Sequence, residues 1–512
     1  MGMLLIYPPV SKACEPPAGI AKIAGVLQRH GVRCRVLDAN LEGMLHLLEQ
    51  RSAPSAQSPN TWTRRAFRNV RKNLASLREP SFYRGFDRYK KAVHEVNRAL
   101  EVSAAAAGAT VGLANYHHRE LSPVRSGDLQ RAAEQPEENP FYPYFAERLP
   151  ALLEEEQPSL LGLSLNYLSQ ALCAFAMIGF LRREFPGVPV VLGGGLVTSW
   201  MRNPQWKDPF AGLVDRCIAG PGERPLLALL GYGIGEEEPG GPEYGSLPLR
   251  DYLAPGTILP YSASSGCYWN RCTFCPERAE GNSYAPVPVN RALRDISFLT
   301  GETKPVLLHL LDNSLSVGFL KGLTENPPGV PWYGFARIGN ELAEGDFCRA
   351  LRRSGCVMLK LGVESGDQEV LDALQKGVSL DTVSRALRTL KEAGIATYVY
   401  LLFGTPAETL SSAQKTLAFT ARHAEEIRFL NCALFNMPVS GHEAQELATG
   451  SFYEGDLALY TGFAHPHGWD RREVRRFLEG EFKRHRAVAE ILKNDPPFFT
   501  SNHAAFFSGK EE

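Results

Sequence analysis

Short apolar runs alternate with helical stretches in two separate parts of this chain. That alternation admits few folds, because strands joined by crossover helices pair in parallel and are buried on both faces. Residues 3–9, Met-Leu-Leu-Ile-Tyr-Pro-Pro, form an apolar run stopped by two prolines, which suits a buried parallel strand ending in a loop. Ile20, Ile23, Ala24 and Leu27 then recur at helical spacing as far as Gly31, and residues 32–38 supply the next strand. The pattern resumes at 160–165, runs through an apolar helix to Arg183, and returns at 188–195 and 214–220. These units predict an α/β fold whose first domain, residues 1–231, is a Rossmann-like doubly wound parallel sheet. Ligands of such sheets bind at the carboxyl ends of the strands, where Pro8, Ser164, Gly194 and Gly220 would gather.

Residues 51–150 interrupt this sheet with a helical insertion of no assigned role, in which Arg64–Leu77 has helical periodicity and 120–138 reads as flexible. Residues 232–256 turn to Gly, Pro and Glu, the chemistry of a linker. From 257 to 439, strand-like runs at 258–263, 306–311, 332–338, 357–363, 397–403 and 429–435 alternate with helical stretches such as 381–393 and 409–423. This predicts a partial (β/α)6 barrel with its chemistry at the strand C-termini. Residues 440–512 read as a small, mostly helical cap, with one charged helix from Arg471 to Lys493 and an aromatic segment, Pro497-Phe498-Phe499.

With 512 residues and 44% hydrophobic content, the chain can bury large cores. A formal net charge of -1 offers no electrostatic grip on nucleic acid or anionic lipid. No run of 18 apolar residues is present, so no membrane span is expected, and the cytoplasm is the default location.

Three cysteines fall close together in Cys267-Tyr268-Trp269-Asn270-Arg271-Cys272-Thr273-Phe274-Cys275. A C-x4-C-x2-C spacing can bring three thiolates to one metal centre, and three thiolates on a 4Fe-4S cluster leave one iron open. A structural zinc site, the plainer alternative, usually has four protein ligands, and the nearest downstream histidine is the distant His309. The other cysteines (Cys14, Cys34, Cys173, Cys217, Cys348, Cys356 and Cys432) are scattered singly and read as buried thiols of a reducing compartment. Tyr268, Trp269, Trp332 and Tyr333 fit either a pocket wall or plain core. His465-Pro466-His467 is a weak ligand signal.

On these residues the chain resembles the radical S-adenosylmethionine (SAM) enzymes, and more narrowly their branch with an N-terminal cobalamin-binding domain. The resemblance implies that Cys267, Cys272 and Cys275 hold a 4Fe-4S cluster whose fourth iron is chelated by the amino and carboxylate groups of SAM. It differs from the usual C-x3-C-x2-C by one residue between the first two cysteines. Phe274 matches the aromatic position next to the adenine. Gly362-Val363-Glu364-Ser365-Gly366 resembles the strand-four motif that contacts SAM, here through Glu364 and Ser365. Leu311-Asp312-Asn313 stands where the family carries Gly-Gly-Glu, so Asp312 or Asn313 would take the methionyl amino group. Arg337 sits at the end of the third barrel strand, and Gly404-Thr405-Pro406-Ala407-Glu408-Thr409 resembles a structural turn of the family. In the first domain, Pro16–Ile20, Val36–Asn40, Gly193-Gly194-Gly195 and Gly220-Pro221-Gly222-Glu223 resemble the cobalamin pattern. They implicate Pro8, Ser164, Gly193, Gly194, Gly220 and Glu223 in holding the corrin, without the Asp-x-His-x-x-Gly motif that supplies a histidine ligand elsewhere.

The implied activity is reductive cleavage of SAM to a 5′-deoxyadenosyl radical, followed by cobalamin-dependent methyl transfer to an unactivated carbon of an unknown small-molecule or peptide substrate. The implied electron donor is a flavodoxin or ferredoxin. Two alternatives stay open: a radical cyclase, dehydrogenase or rearranging enzyme without methyl transfer, and a non-catalytic cobalamin or iron–sulfur sensor. A first domain that only scaffolds the barrel is compatible with the same residues.

Overall fold

The computed structural model describes residues 2–49, 60–232, 241–497 and 503–508. Its contacts divide the chain into two compact units, one built mainly from residues up to 258 and the other mainly from 259 onward.

The first unit holds a five-stranded sheet: β1 (Gly2–Tyr7), β2 (Arg33–Asp38), β3 (Leu160–Ser164), β4 (Val190–Gly193) and β5 (Arg216–Cys217), in the order β2-β1-β3-β4-β5. All four neighbouring pairs are parallel. All six residues of β1 are buried, as a strand covered on both faces requires. Helix α1 (Ala18–Arg29) makes the first crossover and α7 (Leu168–Glu184), buried on almost every side from Gln170 to Leu181, the crossover from β3 to β4, while α2 (Ala39–Glu49), α8 (Gly195–Arg202) and α9 (Glu223–Leu229) follow β2, β4 and β5. Winding runs one way from β1 to β2 and the other way from β1 to β3, so the switch point lies between β1 and β3. In a sheet of this order, that is where ligands bind.

Helices α3 (Thr61–Ser76), α4 (Phe86–Ala104), α5 (Ser126–Glu134) and α6 (Tyr142–Glu156) make up the insertion; its first residues, 51–59, lie outside the described ones. Two expectations change here. Residues 120–138 are not a loose stretch, because α5 buries Leu129, Ala132 and Ala133, and an apolar stripe of this kind orders a helix whatever the polarity of its other face. Residues 241–256 of the expected linker are packed too; 233–240 lie outside the described residues. Tyr244, Leu247, Tyr252 and Leu253 are buried, Leu253 N donates to Ala13 O at 2.8 Å, and the Tyr252 hydroxyl donates to buried Asp38 at 2.6 Å. The aromatic residues among the glycines decide the outcome. Part of the tail, 453–459, also belongs to the first unit, where Arg125 Nε donates to Glu454 O at 2.7 Å and Leu457 N to Val124 O at 2.9 Å.

The second unit is a six-stranded sheet: β6 (Ile258–Tyr261), β7 (Leu307–Leu315), β8 (Trp332–Ala336), β9 (Cys356–Glu364), β10 (Ala396–Phe403) and β11 (Phe429–Leu434), ordered β11-β10-β9-β8-β7-β6. Pairs from β7 through β11 are parallel. Helices α10 (Val289–Thr303), α11 (Val317–Glu325), α12 (Gly345–Arg353), α13 (Gln368–Ala373), α14 (Leu380–Glu392) and α15 (Leu410–Arg422) follow strands in turn. Ser379 and Thr409 cap α14 and α15 by accepting from Thr382 N and Ser412 N. Strand β7 runs beyond the predicted 306–311 and carries Asp312 and Asn313 inside it. The charged helix predicted from 471 to 493 is in fact Arg471–Phe477, a π turn at Leu478–Phe482 and Arg486–Leu492. Of the aromatic segment at 497–499, Phe498 and Phe499 lie outside the described residues.

Candidate active site

Strand β6 leads into the cysteine loop through a two-residue antiparallel ladder, Ser264–Ser265 with Ala285–Pro286. Asp312, buried in mid-β7, fixes this entry by accepting from Ala263 N at 3.0 Å and from the Ser264 hydroxyl. Burial raises its carboxyl pKa, and the two donors only partly offset that. Asp312 is therefore a carboxylate already engaged by the loop. Asn313 is exposed and its amide reaches Gly266 O at 3.5 Å. Gly266 has φ +70, and a Cβ there would sit 2.5 Å from Ser283 O, so the chain can turn into the cysteines only through glycine.

Cys267, Cys272 and Cys275 are all half-buried and free. Burial pushes the Cys272 thiol up, Lys376 pulls it down, and Cys275, Glu364 and Cys267 push it up again. Cys275 is likewise raised by burial, against backbone N–H groups of Arg278 and Glu277. Among the described residues, no three His, Cys, Asp or Glu side chains close on a single-ion site. The sulfurs of a cubane cluster's ligands bind separate irons and need not meet at one point. His309 does not approach the loop as a fourth ligand: it stacks on Tyr333 at 4.3 Å, with Lys360 Nζ 3.3 Å from its Nε2.

Glu364, at the end of β9, has φ +66 and pairs with Lys376 Nζ at 2.8 Å, each side chain only 11% exposed. Burial works against the Lys376 charge, yet Glu364 and Cys272 beside it hold the ammonium above its ordinary range. The same ammonium lies 5.7 Å from the Phe274 ring centroid. Gly362 makes room for the pair, since a Cβ there would stand 2.3 Å from Glu364 Oε1. Ser365 is fully buried: its hydroxyl lies 3.2 Å from Thr416 Oγ1 and accepts from Asp367 N. These contacts make it part of the turn into α13. Arg337 also faces protein, with Nη2 donating to Lys376 O at 2.7 Å and Gly377 O at 2.6 Å. Its buried Nε has no partner.

Residues 335–420, which include Arg337, Glu364 and Lys376, match the model of the Radical SAM superfamily. The chain carries a radical SAM domain. Over 191 residues, 35% of this chain and 40% of the relative, it is 24% identical to an uncharacterized methyltransferase of Pyrococcus horikoshii. Over 217 residues, 40% of this chain and 37% of the relative, it is 24% identical to the anaerobic magnesium-protoporphyrin IX monomethyl ester cyclase of Rubrivivax gelatinosus. The matched segments thus span about two fifths of these curated relatives. The fold is shared with OxsB, a cobalamin-dependent SAM radical enzyme solved with aqua-cobalamin and SAM bound, at a TM-score of 0.54 and 12% identity over 91% of this chain and 64% of that one. No helix among the described residues is long and apolar enough to cross a membrane.

In the first unit, the residues predicted around a corrin stand at the carboxyl ends of the strands and offer backbone. Pro8 O accepts from the buried Gln170 amide at 2.8 Å. Asn166 ties two strand ends together, donating to the Ser164 hydroxyl at 3.1 Å and accepting from Gly195 N at 2.9 Å. Gly194 has φ +109, and a Cβ would lie 2.4 Å from Leu165 O; Gly193 has only Ile218 nearby, at 3.6 Å. Gly220, at φ +74, has nothing within 4 Å of a Cβ position, and its N–H donates to Thr198 Oγ1. Glu223 is buried and ion-paired with Lys22 at 3.1 Å.

Lys376 and Gln375, which no motif singles out, complete the site: Lys376 pairs with Glu364 and Gln375 O accepts from Trp269 Nε1. Both follow the Glu364 motif, and their signal is a lysine next to glycine just beyond a helix that itself follows a buried acid. His465, in the weak histidine pair, is engaged by Thr405 O at 2.8 Å and by two backbone N–H groups, those of His467 and Trp469.

Proposed function

We propose that the protein is a radical SAM enzyme whose Cys267, Cys272 and Cys275 hold a 4Fe-4S cluster, and that it is a cobalamin-dependent methyltransferase acting on carbon. The observation that carries the reading is the union, in one unit, of three half-buried thiols on a single loop with the buried Glu364–Lys376 pair, the pair itself lying in the segment that matches the Radical SAM superfamily. When bound, the cluster supplies the electron that cleaves SAM into methionine and a 5′-deoxyadenosyl radical, and cobalamin supplies the methyl group.

This chain's own residues bind and orient. Burial disfavours free thiolates at Cys272 and Cys275, and a coordinating metal reverses that preference by deprotonating them outright. Lys376 adds a fixed positive charge beside Cys272, which opposes the charge that thiolates bring. Glu364 is an acceptor held in place by Lys376, suited to a hydroxyl or ammonium of SAM, and the Phe274 segment borders the same space. Asp312 serves as a positioning residue, because both its oxygens grip the entry to the loop. Asn313, exposed beside Gly266, is the better placed of the two to meet a ligand.

Support for cobalamin comes from the first unit's own geometry. Its strand order puts the switch point beside Pro8 and Ser164, and Gly193, Gly194 and Gly220 present bare backbone at the same strand ends. A flat macrocycle can approach such a surface closely, and side chains would fill it. The reading includes an external one-electron donor of the flavodoxin or ferredoxin kind. A second reading, radical ring closure without methyl transfer, is favoured by the Rubrivivax relative's name. The test is anaerobic reconstitution with iron, sulfide and hydroxocobalamin, followed by turnover of methyl-labelled SAM. Stoichiometric corrin bands and label in the product support the methyltransferase; a cluster with no retained corrin would defeat it in favour of the second reading.

A further inference from the structure

The interval between Cys267 and Cys272 holds one residue more than the family spacing it resembles, and its backbone turns sharply within that interval. Asn270 adopts φ +42, a left-handed conformation that asparagine tolerates better than most residues. The loop thus turns just after Trp269. The Trp269 ring lies under the Arg337 guanidinium, 3.7 Å from Cζ to the ring centroid, with the Arg271 guanidinium at 5.0 Å. Its Nε1 donates to Gln375 O at 3.0 Å. Arg337 is itself held by the carbonyls of Lys376 and Gly377, and Thr273 N donates to Leu374 O at 3.1 Å. Residues 374–377 therefore turn four consecutive carbonyls toward the cysteine loop and the arginine that covers it. Gly377, at φ +64, leaves the ring its space: a Cβ would stand 2.3 Å from Trp269 Cζ2. Lys376, in the middle of this turn, carries the ammonium that pairs with Glu364.

From this fit we infer that Trp269 is the positioning residue of the cysteine loop, acting through Arg337 and the 374–377 turn to hold the three thiols in register with Glu364 and Lys376. The inference rests on the reading that these thiols hold a cluster. Arg337, which the resemblance places near SAM, is part of this lock. A tryptophan that only filled space would affect the fold generally; a lock affects the cluster and its response to SAM.

The full chain and its W269F, W269A and R337K variants would be reconstituted anaerobically with iron and sulfide. Iron release to a chelator, the electron paramagnetic resonance spectrum of the reduced cluster with and without SAM, and the melting temperature before reconstitution would be recorded. W269F is expected to stay within about twofold of the parent, since an aromatic face under Arg337 remains. W269A, which loses the cation–π contact, and R337K, which keeps a cation but loses the fork that holds the Lys376 and Gly377 carbonyls, are expected to release iron on the order of tenfold faster and to lose the SAM-induced spectral change. W269A with parental iron release and a parental SAM response would overturn the inference. Should W269A fail to fold, R337K decides by the same criteria. Iron absent from the parent would overturn the proposed function and this inference together, whereas iron held equally by all variants overturns the inference alone.

Discussion

The carboxyl ends of the two sheets are built in opposite ways. At the second sheet the polar side chains are engaged with one another: Asp312 with the loop entry, Glu364 with Lys376, Arg337 with Trp269 and two carbonyls. At the first sheet the corresponding residues are mostly glycine, and what they present is backbone, with Asn166 and Gln170 bracing it from behind. A site that must fix three thiolates and a small charged ligand needs preorganised charge, whereas a surface for a large flat ligand needs the absence of side chains. The same fold principle, ligands at strand ends, thus leads to two different residue chemistries.

The sharpest way to break this comparison is to remove the thiols. Replacing Cys267, Cys272 or Cys275 with alanine is expected to abolish stable iron uptake while leaving cobalamin uptake by the first unit intact, both read by metal analysis and visible spectra; a variant that keeps its iron removes that cysteine from the set. Next in size is Lys376→Met, which leaves Glu364 buried without its partner and is expected to cost about 4 kcal/mol in denaturant unfolding, with much of the loss recovered in E364Q/K376M. Equal losses in the single and double variants would show that the pair contributes packing and not charge. At the first sheet, Gly194→Ala sets a Cβ against Leu165 backbone at positive φ, with an expected cost of about 3 kcal/mol and weakened corrin binding. A tolerated alanine would mean the strand end has more freedom than the contact distances allow.

The smallest effect concerns Glu408, in the turn after β10. Burial raises its pKa from 4.5 to about 7, although Gly404 N and Trp469 Nε1 donate to it. The folded chain therefore keeps a proton there that the unfolded chain releases as pH rises above 4.5. Stability from this group is full at or below that pH, falls as pH approaches 7 and is level above it. Glu408→Gln should flatten that part of the pH profile and raise stability at pH 8 by about 2 kcal/mol, measured by thermal melts across the range. An unchanged slope would assign the pH dependence elsewhere, to buried Asp38, raised to about 6, or to buried Asp312, also raised.

The strands of both sheets were legible because their apolar runs are short, continuous and bounded by Gly or Pro, and β1 through β4 and β6 through β11 follow them closely. The failures share a physical cause. Leu129, Ala132 and Ala133 order a polar-looking stretch, and Tyr244 and Tyr252 anchor a glycine-rich one, because a few buried side chains outweigh average composition. The helix read from 471 to 493 breaks at His485, where ψ is 129°, a break no proline announces. At the site, the motif drew attention to Ser365 and Arg337, yet motif position does not say which way a side chain is engaged; only packing does. Lys376 was missed because its importance depends on Glu364, twelve residues earlier in the chain and a hydrogen bond away in space.

The most direct test of the central claim is to reconstitute the full chain with iron and sulfide without oxygen, add SAM and a strong reductant, and quantify 5′-deoxyadenosine against the three cysteine variants. Steady formation of 5′-deoxyadenosine by the parent and none by the variants is the predicted result. A cluster-loaded parent that leaves SAM intact would contradict the account and leave the loop as a binding or sensing site.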